Sequence, residues 1–546
     1  MRRVVLVGAT GVFGARLAER LAGWPKLELV LVARRIEQLE ALRDRLVDAG
    51  ATAEIAIARA DRSRPAEIVA LAPWAVIDAA GPFGVPDFDL PQAVVEAGAH
   101  WIDLADSRAY VAAFGPALDE LARRNGVLAA ACASSSPAIT QAALARITEG
   151  WRSVTKASSV VSPAAQSTGL SLVQTVLAQA GQPVSCFTGG AWVRRPAWGG
   201  LRRIRIAGLG RRLAVLAETP DLDFLPLTAR EEGLFFAAIE PPLLMALIWL
   251  AAWPVRLRLA PTLRPLAGML RPLADLFTPL GSHRGGMAVF AEGEDAAGAS
   301  RQARWSLVAE RGAGPAIPSS PASAVLRALV DGRLTQTGAA PCVGLVSLDD
   351  ILAELAPLPI STRIEAWSPD RGGLFARALG DGFERLPAIV RRVHGGEPAT
   401  TTGRAVSSAR GFGALMTRLV LGLPRPGRHV ARVEIAPDGT GEVWTRRFGR
   451  GRFSSRLVTV EDDPGRFEER FGLATFRFSA IADARGFDWI QEGWRIGPLP
   501  LPGWLGPRIR ARCFERDGTY RFRVVVAHPW LGVLLAYAGR LNVNSP

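Results

Sequence analysis

The sequence predicts an α/β protein with an N-terminal doubly wound parallel sheet, an α+β second lobe and a mostly β C-terminal domain. Three observations lead to this prediction. The chain has 546 residues, more than the roughly 250–300 at which a single hydrophobic core stops growing. Its first part alternates short apolar runs with helical patterns, which is typical of parallel sheets. Its last part consists of segments in which apolar and polar residues alternate.

The N-terminal domain is expected over residues 1–150. Amphipathic helical patterns cover residues 16–22 and 36–49, where apolar residues recur at helical spacing. Short apolar runs predict strands at residues 3–7, 28–33, 53–58, 75–78, 101–103 and 128–131.

The remaining chain divides near Asp370. Residues 151–365 mix helices with strand-like runs and predict an α+β lobe. Residues 375–546 predict a separate, mostly β domain. The clearest strand patterns of both parts lie at residues 153–161, 286–290, 304–309, 428–435, 441–448, 473–481 and 520–526.

The composition limits the class of protein. Hydrophobic residues make up 49% and charged residues 21%, the balance of a folded protein. The net charge of +14 comes almost entirely from scattered arginines, because lysine occurs only at Lys26 and Lys156. Without a dense basic block or the spacing of a nucleic-acid-binding motif, no nucleic-acid partner is expected.

The cysteines and histidines predict no metal site. Cys132, Cys186, Cys342 and Cys513 are far apart in sequence, and the five histidines lack metalloprotease spacing. The first apolar run is too short for a signal peptide. We therefore expect a reducing, cytoplasmic location.

A glycine pattern follows the first predicted strand. Gly8, Gly11 and Gly14 stand between that strand and a helix, the context of the Rossmann dinucleotide-binding turn. Gly8 permits the tight turn, Gly11 admits the pyrophosphate and Gly14 allows helix and strand to pack closely. The phosphates are expected at the helix N-terminus, and the candidate contacts are Gly8, Thr10, Gly11, Val12, Phe13 and Gly14.

The end of the second strand indicates which cofactor is preferred. NAD enzymes usually place a carboxylate there, against the ribose hydroxyls, whereas this chain has Arg34 and Arg35. A guanidinium pairs with a 2′-phosphate, so NADP is predicted over NAD, with Arg34 as the main contact. The alternative is an ordinary solvated strand end. Asp61 is placed to meet the adenine, or serves as a helix N-cap.

The fourth predicted strand ends at small residues that leave room for the nicotinamide. These are Ala80, Gly81 and Pro82, and a plain Gly-Pro turn is the alternative. For acid-base chemistry we consider His100, Asp103 and Asp106, which follow at the next strand, and Arg284 as an anion clamp. Structural roles are the alternative for each. The Tyr-Lys pair of short-chain dehydrogenases is excluded, since no tyrosine precedes a lysine by four residues.

Residues 241–258 form an apolar segment that is too short to span a bilayer. Three interpretations are open: a buried helix of the second lobe or of a homodimer interface, a lid over an apolar substrate, or an interfacial helix. In the last case its tryptophans lie at headgroup depth, and Arg256 and Arg258 contact anionic lipid at the inner membrane face.

Several motifs together resemble the saccharopine dehydrogenase-like family over residues 1–365. The resemblance implies a Rossmann domain with an α/β lobe that builds the substrate cleft and often the dimer contact. Members act on varied substrates, including amino-acid adducts and enoyl or lipid-like compounds. The motifs are the Gly8–Gly14 loop, residues 80–83, 98–104, 133–137, 312–318 and 338–344.

The C-terminal part resembles a domain of unknown function that is found fused to such oxidoreductases. This resemblance implies an organisation but no activity. The residues that carry it are 444–449, 497–502, 529–532 and 537–539.

These observations favour an NADP-dependent oxidoreductase that transfers hydride to or from a small or lipid-like substrate. A nucleotide-binding scaffold without turnover is the alternative from another class. A membrane-associated, lipid-handling protein is a third interpretation, and it is compatible with the first.

Overall fold

The computed structural model describes residues 1–81, 83–84, 86–164, 176–269, 276, 281–367, 372–409, 425–438, 441–449, 451–460, 463–497 and 499–543. The chain forms two compact units. Unit 1 comprises residues 1–298 and 303–365, and unit 2 comprises residues 299–302 and 366–546. The first two predicted domains therefore belong to one compact unit.

The first sheet of unit 1 is parallel and follows the predicted strands closely. Its order begins with a strand at Gly338–Pro341 and continues β6-β5-β4-β1-β2-β3. The first six strands in the chain are β1 (Arg2–Val7), β2 (Leu27–Ala33), β3 (Glu54–Arg59), β4 (Ala75–Asp78), β5 (His100–Asp103) and β6 (Leu128–Ala131).

Helices cover both faces of this sheet, as the prediction of a doubly wound fold requires. Successive side chains of a strand point to opposite faces, so Val4 and Leu6 pack into one core and Val5 and Val7 into the other. The helices are α1 (Val12–Leu21), α2 (Ile36–Asp48), α3 (Pro65–Val69), α4 (Asp89–Glu96), α5 (Arg108–Arg124) and α6 (Thr140–Ile147).

The boundary predicted at residue 150 is incomplete. The strand at Gly338–Pro341 pairs in parallel with β6, and the Gly338 amide donates to the Val127 carbonyl at 2.9 Å. Asp119 on α5 accepts the Ala339 amide, also at 2.9 Å. The segment consists of a glycine, two alanines and a proline, and a proline within a short run argues against a strand.

The second sheet of unit 1 has nine strands in the order β10-β11-β12-β7-β13-β14-β16, and β8 and β9 form a hairpin beside β12. The Gly338–Pro341 strand is β15. The others are β7 (Trp151–Ser162), β8 (Pro183–Thr188), β9 (Ala191–Pro196), β10 (Arg202–Ile206), β11 (Gly210–Leu216), β12 (Ala229–Ala238), β13 (Gly285–Asp295), β14 (Ser300–Ala309) and β16 (Ile360–Trp367).

Short helices accompany the second sheet, so the lobe is α+β as predicted. No helix in the described ranges is long and apolar enough to cross a membrane. The helices are α7 (Asp221–Thr228), α8 (Pro242–Ala251), α9 (Trp253–Arg256), α10 (Ser320–Val330) and α11 (Leu348–Ala353).

In its described residues, unit 2 is a closed antiparallel sheet with three short helices. Its ten-strand ring runs β22-β21-β20-β19-β18-β17-β27-β26-β25-β23 and closes through β22–β23 pairing, with β24 beside β23. The prediction of a mostly β C-terminal domain is confirmed. Its helices are α12 (Leu374–Leu379), α13 (Asp381–Glu384) and α14 (Ala388–His394). Its strands are β17 (Ala399–Ser408), β18 (Gly427–Asp438), β19 (Gly441–Phe448), β20 (Gly451–Val460), β21 (Asp463–Phe471), β22 (Ala474–Ala482), β23 (Gly486–Ile496), β24 (Leu499–Leu501), β25 (Arg508–Arg516), β26 (Thr519–His528) and β27 (Gly532–Val543).

Candidate functional site

The glycine loop lies at the carboxyl end of β1 and leads directly into α1. The Gly8 amide donates to the Val32 carbonyl, and the Gly11 amide donates to the Gly8 carbonyl, both at 2.9 Å. Gly11 precedes the helix with extended backbone angles, and no side chain caps the first turn. Because the first amides of a helix lack intrahelical acceptors, this end of α1 presents open donors to an anion.

Packing explains two of the three glycines, Gly8 and Gly14. Gly8 has a φ of +76°, and a Cβ there would lie 2.8 Å from the Ala80 Cβ. A Cβ on Gly14 would lie 2.1 Å from the Gly8 carbonyl oxygen. The loop after β1 thus contacts the loop after β4 without intervening side chains. Of the other predicted contacts, Thr10 is half-buried, whereas Val12 and Phe13 are exposed.

Arg34 and Arg35 lie beside this loop. The β1–β2 register pairs Val7 with Val32, so the residues after Ala33 emerge at the same sheet edge as Gly8. Both arginines are exposed. In the described part of the chain, neither guanidinium has a hydrogen-bond or salt-bridge partner, so both are free to meet an anion.

Asp61 follows β3 at the same edge. Its Oδ1 accepts the Ser63 amide at 3.0 Å and the Ser63 hydroxyl at 2.9 Å. These bonds lower the pKa of Asp61, and the charges of Arg34 and Arg64 contribute in the same direction. The N-cap interpretation is wrong: α3 begins after Arg64 without a side-chain cap.

The sequence analysis missed an ion pair at the end of β4, in which the carboxylate is fully buried and the arginine is half-buried. Arg62 Nε donates to Asp78 Oδ2 at 2.6 Å, and Asp78 Oδ1 accepts the Ala80 amide at 2.9 Å. Burial raises the pKa of Asp78 despite Arg62. This pair fixes the position of Ala80, and Gly81 next to it is exposed. Pro82, the third residue predicted here, lies outside the described residues.

Asp103 ends β5 in a fully buried position and accepts four hydrogen bonds. Oδ1 takes the amides of Ala105 and Cys132 at 2.9 and 2.8 Å, and Oδ2 takes Trp101 Nε1 at 2.9 Å and the Tyr110 hydroxyl at 3.0 Å. Burial raises the pKa of Asp103 to about 6. A carboxylate enclosed in this way positions the loops around it, and it does not face the cleft as expected.

His100 is not where the sequence analysis expected it, and Arg284 already has partners in the second lobe. His100 begins β5 and therefore lies at the amino edge of the sheet, opposite the glycine loop. Its Nδ1 accepts the Leu128 amide at 3.0 Å, and burial lowers its pKa. Arg284 donates to the Gly208 carbonyl at 2.9 Å and forms a 3.0 Å ion pair with Glu310. A role for His100 in the cleft is thus wrong, and Arg284 is already neutralised.

Asp106 is the acidic group that remains at the carboxyl edge. It lies in the loop between β5 and α5, and its side chain is exposed. The surrounding protein nevertheless removes part of its hydration and raises the pKa of Asp106. Solvent contact combined with a raised pKa is the environment of a carboxyl group in a cleft.

A second buried aspartate joins the two lobes of unit 1. Asp221, at the start of α7, accepts the hydroxyls of Thr140 at 2.6 Å and Ser159 at 2.8 Å. Burial raises the pKa of Asp221. These bonds attach α7 and β7 to the segment after β6. No local pattern predicts them, because the partners are at least 62 residues from Asp221 in the chain.

Comparison with known proteins finds similarities for both parts of the chain. Residues 386–541 match a family described as "Domain of unknown function (DUF4166)". The fold is similar to apo saccharopine dehydrogenase (L-Glu forming) from Saccharomyces cerevisiae, with a TM-score of 0.51 and 11% identity. That similarity covers 67% of this chain and 100% of the other. The chain thus combines a saccharopine dehydrogenase-like fold with a C-terminal domain of unknown function.

Smaller similarities extend over about a quarter of the chain. A metagenomic short-chain oxidoreductase in complex with NADP shares 21% identity, covering 24% of this chain and 80% of its own, with a TM-score of 0.20. An actinorhodin polyketide ketoreductase with NADPH also shares 21%, covering 24% and 69%, with a TM-score of 0.20. Comparison with curated proteins gives no significant match.

Proposed function

We propose that unit 1 is an oxidoreductase that binds a nicotinamide dinucleotide at the carboxyl edge of its first sheet and prefers NADP. One observation carries the proposal. The uncapped first turn of α1 and the unpaired guanidinium groups of Arg34 and Arg35 lie at the same edge, where phosphate groups bind in doubly wound folds. The likeness of the fold to a dehydrogenase supports the same assignment.

The residues present fit this cofactor. Because Gly8 and Gly14 have no side chains, the loop lies close to the sheet. This leaves space for a pyrophosphate against the α1 amides. Arg34 would hold the 2′-phosphate, with Arg35 beside it, and Asp61 would lie near the adenine. Ala80 and Gly81 would border the nicotinamide, which when bound supplies or accepts the hydride.

Asp106 is our candidate for proton transfer. It follows β5, the neighbour of β4, so it lies one strand from the proposed nicotinamide site. The surrounding protein raises the pKa of Asp106 through desolvation, which is the direction that a general acid requires. The proton on Asp106 would go to a small or lipid-like substrate as its carbonyl or imine carbon gains hydride.

The four cysteines are buried and unpaired, which supports a reducing, cytoplasmic compartment for this chemistry.

Cofactor titration tests the proposal. Purified protein is titrated with NADPH and with NADH, and nicotinamide fluorescence is followed. We expect NADPH to bind more tightly than NADH. Arg34→Ala should weaken the affinity for NADPH by about 5–30-fold, which corresponds to a lost charge-assisted contact of about 1–2 kcal/mol. NADH should be unaffected. The matched control is Arg124→Ala, an exposed arginine at the end of α5.

The outcomes separate the competing functions. Absence of binding to either nucleotide contradicts the proposal. Tight binding without hydride transfer, across a panel of ketones, imines and enoyl compounds, favours a nucleotide-binding scaffold. Turnover that Asp106→Asn reduces, while NADPH binding is kept, supports both the reaction and the assigned acid.

A second candidate function, membrane contact, is favoured by the surface of α8 and α9. Leu243, Leu250, Trp253 and Leu257 are 55%, 59%, 41% and 59% exposed. Met245 is buried, so only one side of α8 packs against the lobe. The Arg256 guanidinium donates to the Trp198 carbonyl and lies over Trp249 and Trp253. Its contact with anionic lipid stays a prediction.

Liposome sedimentation tests this surface. We expect binding to vesicles with anionic lipid to weaken in Leu243→Ser/Leu250→Ser and to persist in Val47→Ser, an equally exposed apolar residue of α2. Added salt should weaken binding, since exposed charges are screened within about 8–10 Å. If the double variant instead converts a homodimer to monomers, the surface is a subunit interface and the membrane proposal fails.

A further inference from the structure

The ten-strand ring of unit 2 has two ends that differ in their surface. Its strands are antiparallel, so the connections between them alternate between the two ends. One end, which we call the loop end, holds the connections β17–β18, β19–β20, β21–β22, β23–β25 and β26–β27. The described residues of these connections are 409, 425–426, 449, 472–473, 497, 499–507 and 529–531. The turns β18–β19, β20–β21, β22–β23 and β25–β26 lie at the opposite end.

Large apolar side chains are exposed at the loop end. Trp504 and Leu505, between β24 and β25, are 54% and 40% exposed, and Trp530 and Leu531, between β26 and β27, are 67% and 50% exposed. Leu473, between β21 and β22, is 76% exposed. The tripeptide Trp-Leu-Gly occurs in both of the tryptophan-containing loops. Exposed apolar side chains that are grouped in this way mark an interaction site.

Contacts within unit 2 hold the two tryptophan-containing loops in place. Trp494 Nε1 donates to the Pro502 carbonyl at 3.0 Å, and a Cβ on Gly506 would lie 2.2 Å from the Trp494 indole ring. The ring centroids of Trp504 and Trp530 are 5.4 Å apart, so the two loops contact each other. The exposed side chains therefore belong to a preformed surface, and a partner does not have to order the loops when it binds.

The charge at the loop end is positive. Arg425, Arg428 and Arg508 are exposed in or next to its connections, and in the described part of the chain their guanidinium groups have no acidic partner. None of the described loop-end residues is an aspartate or a glutamate. The turns at the opposite end, in contrast, expose Asp483 and Asp517. An anionic partner is therefore attracted to the loop end.

An anionic bilayer surface matches both the apolar side chains and the charge. Tryptophan prefers the headgroup region of a membrane, where its ring is among apolar groups and its indole N–H meets polar ones. The indole N–H groups of Trp504 and Trp530 have no acceptor among the described residues. Arginines next to such side chains are attracted to anionic headgroups. The apolar side chains belong to three separate connections at one end of the sheet, so they can enter a flat surface together.

We propose that the loop end of unit 2 docks on an anionic lipid bilayer. The side chains of Trp504, Leu505, Trp530 and Leu531 enter the headgroup region, and the neighbouring arginines contact anionic headgroups. This site does not depend on the nucleotide site or on the α8 and α9 surface proposed for unit 1. It gives the C-terminal domain a role in bringing the chain to a membrane.

Hydrogen exchange of the full-length protein, with and without vesicles, tests the location of the contact. The vesicles consist of equal parts of phosphatidylcholine and phosphatidylglycerol. We expect peptides that cover residues 497–507 and 528–534 to exchange more slowly when vesicles are present, and peptides from the opposite end to be unchanged. Peptides from α8 and α9 report separately on the surface of unit 1, so the two membrane contacts are distinguished.

Sedimentation with the same vesicles tests the contribution of single side chains. Trp504→Ser/Trp530→Ser should weaken vesicle binding by about tenfold or more. Ile481→Ser, a change of a 59% exposed residue near the opposite end of β22, should leave binding unchanged. Arg508→Gln should weaken binding by about fivefold, whereas Arg516→Gln, at the opposite end of β25, should not.

Four outcomes would overturn the proposal. They are absence of vesicle binding by the wild type, vesicle binding without protection of the loop-end peptides, equal binding by the wild type and the double tryptophan variant, and protection that increases with protein concentration in the absence of vesicles. The last outcome would show that the loop end contacts a second copy of the chain. Unchanged exchange of β19 and β20 peptides in the double variant shows that unit 2 is still folded.

Discussion

The Tyr110 hydroxyl donates a 3.0 Å hydrogen bond to Asp103 Oδ2, and both side chains are fully buried between β5 and α5. The bond connects the first turn of α5 to the strand end beside the proposed nicotinamide site. It also stabilises the carboxylate in a place where burial raises the pKa to about 6.

This pKa predicts a pH dependence of stability. The ordinary pKa of aspartate is about 3.9, so between about pH 4 and 6 the folded state binds more protons than the unfolded state. Stability should therefore fall as pH rises through this window, by about 3 kcal/mol in total from Asp103. Hydrogen exchange of peptides from unit 1, measured from pH 4 to 7, should show this loss as a difference between the wild type and Asp103→Asn. An identical dependence of stability on pH in both proteins would exclude the raised pKa of Asp103.

Gly14→Ala should destabilise the chain although alanine is the better helix former. In an exposed helix the change is worth about 1 kcal/mol in favour of alanine. Here the new Cβ would lie 2.1 Å from the Gly8 carbonyl oxygen, and such overpacking costs about 1–3 kcal/mol. We expect a lower melting temperature and loss of NADPH binding. Gly84→Ala is the matched control, because no atom lies within 4 Å of its added Cβ; equal effects would refute the argument.

Arg108 and Asp223 should show measurable coupling. Arg108 Nε donates to Asp223 Oδ2 at 2.6 Å, a second guanidinium nitrogen donates to Oδ1, and a third bond reaches the Ser185 carbonyl at 2.7 Å. A double-mutant cycle with alanine should give about 1–2 kcal/mol in urea unfolding. The exposed pair Arg16–Glu19 on α1 should give only about 0.3–0.5 kcal/mol. Similar values for the two pairs would argue against a special role for the bidentate contact.

His394 should make unit 2 sensitive to acid. Its Nε2 lies 2.9 Å from the Tyr520 hydroxyl, and burial lowers its pKa to about 3. As the pH falls below about 6.5, the unfolded state takes up a proton that the folded state excludes. The free energy of unfolding should therefore decrease by about 1.4 kcal/mol for each unit by which the pH falls.

Hydrogen exchange of peptides from unit 2, measured between pH 6.5 and 4, checks this expectation. His394→Gln should flatten the dependence, while His283→Gln, an exposed histidine of unit 1, should not change it. A wild-type profile without extra acid sensitivity relative to His394→Gln would show that His394 titrates normally.

Local patterns were sufficient to predict the architecture. The apolar runs of β1 to β6 and the alternating segments of β18, β19, β22 and β26 lie within two residues of the predicted ranges at almost every end. A strand with one buried face has apolar residues at every second position, and a strand with two buried faces is a continuous apolar run. The glycine loop was also predictable, because Gly11 and Gly14 are constrained by contacts with Gly8 in the same loop.

Pairings between distant residues could not be predicted in the same way. Arg62–Asp78, Tyr110–Asp103 and the hydroxyls on Asp221 depend on loops that meet only in the folded chain. His100 illustrates the converse error. Because His100 is close to Asp103 in sequence, we expected both at the same cleft. The two residues are instead at opposite ends of the short strand β5, and His100 is at its amino end.

The late strand β15 has a consequence for the order in which the protein is made. During synthesis β6 is complete at Ala131, yet its neighbour Gly338–Pro341 emerges only after eight of the nine strands of the second sheet have been translated. Until then the first sheet has an open edge, which is prone to pair with other chains. A nascent chain or proteolytic fragment ending near residue 150 should therefore aggregate. Most of the second lobe is translated before the first sheet can gain its last strand.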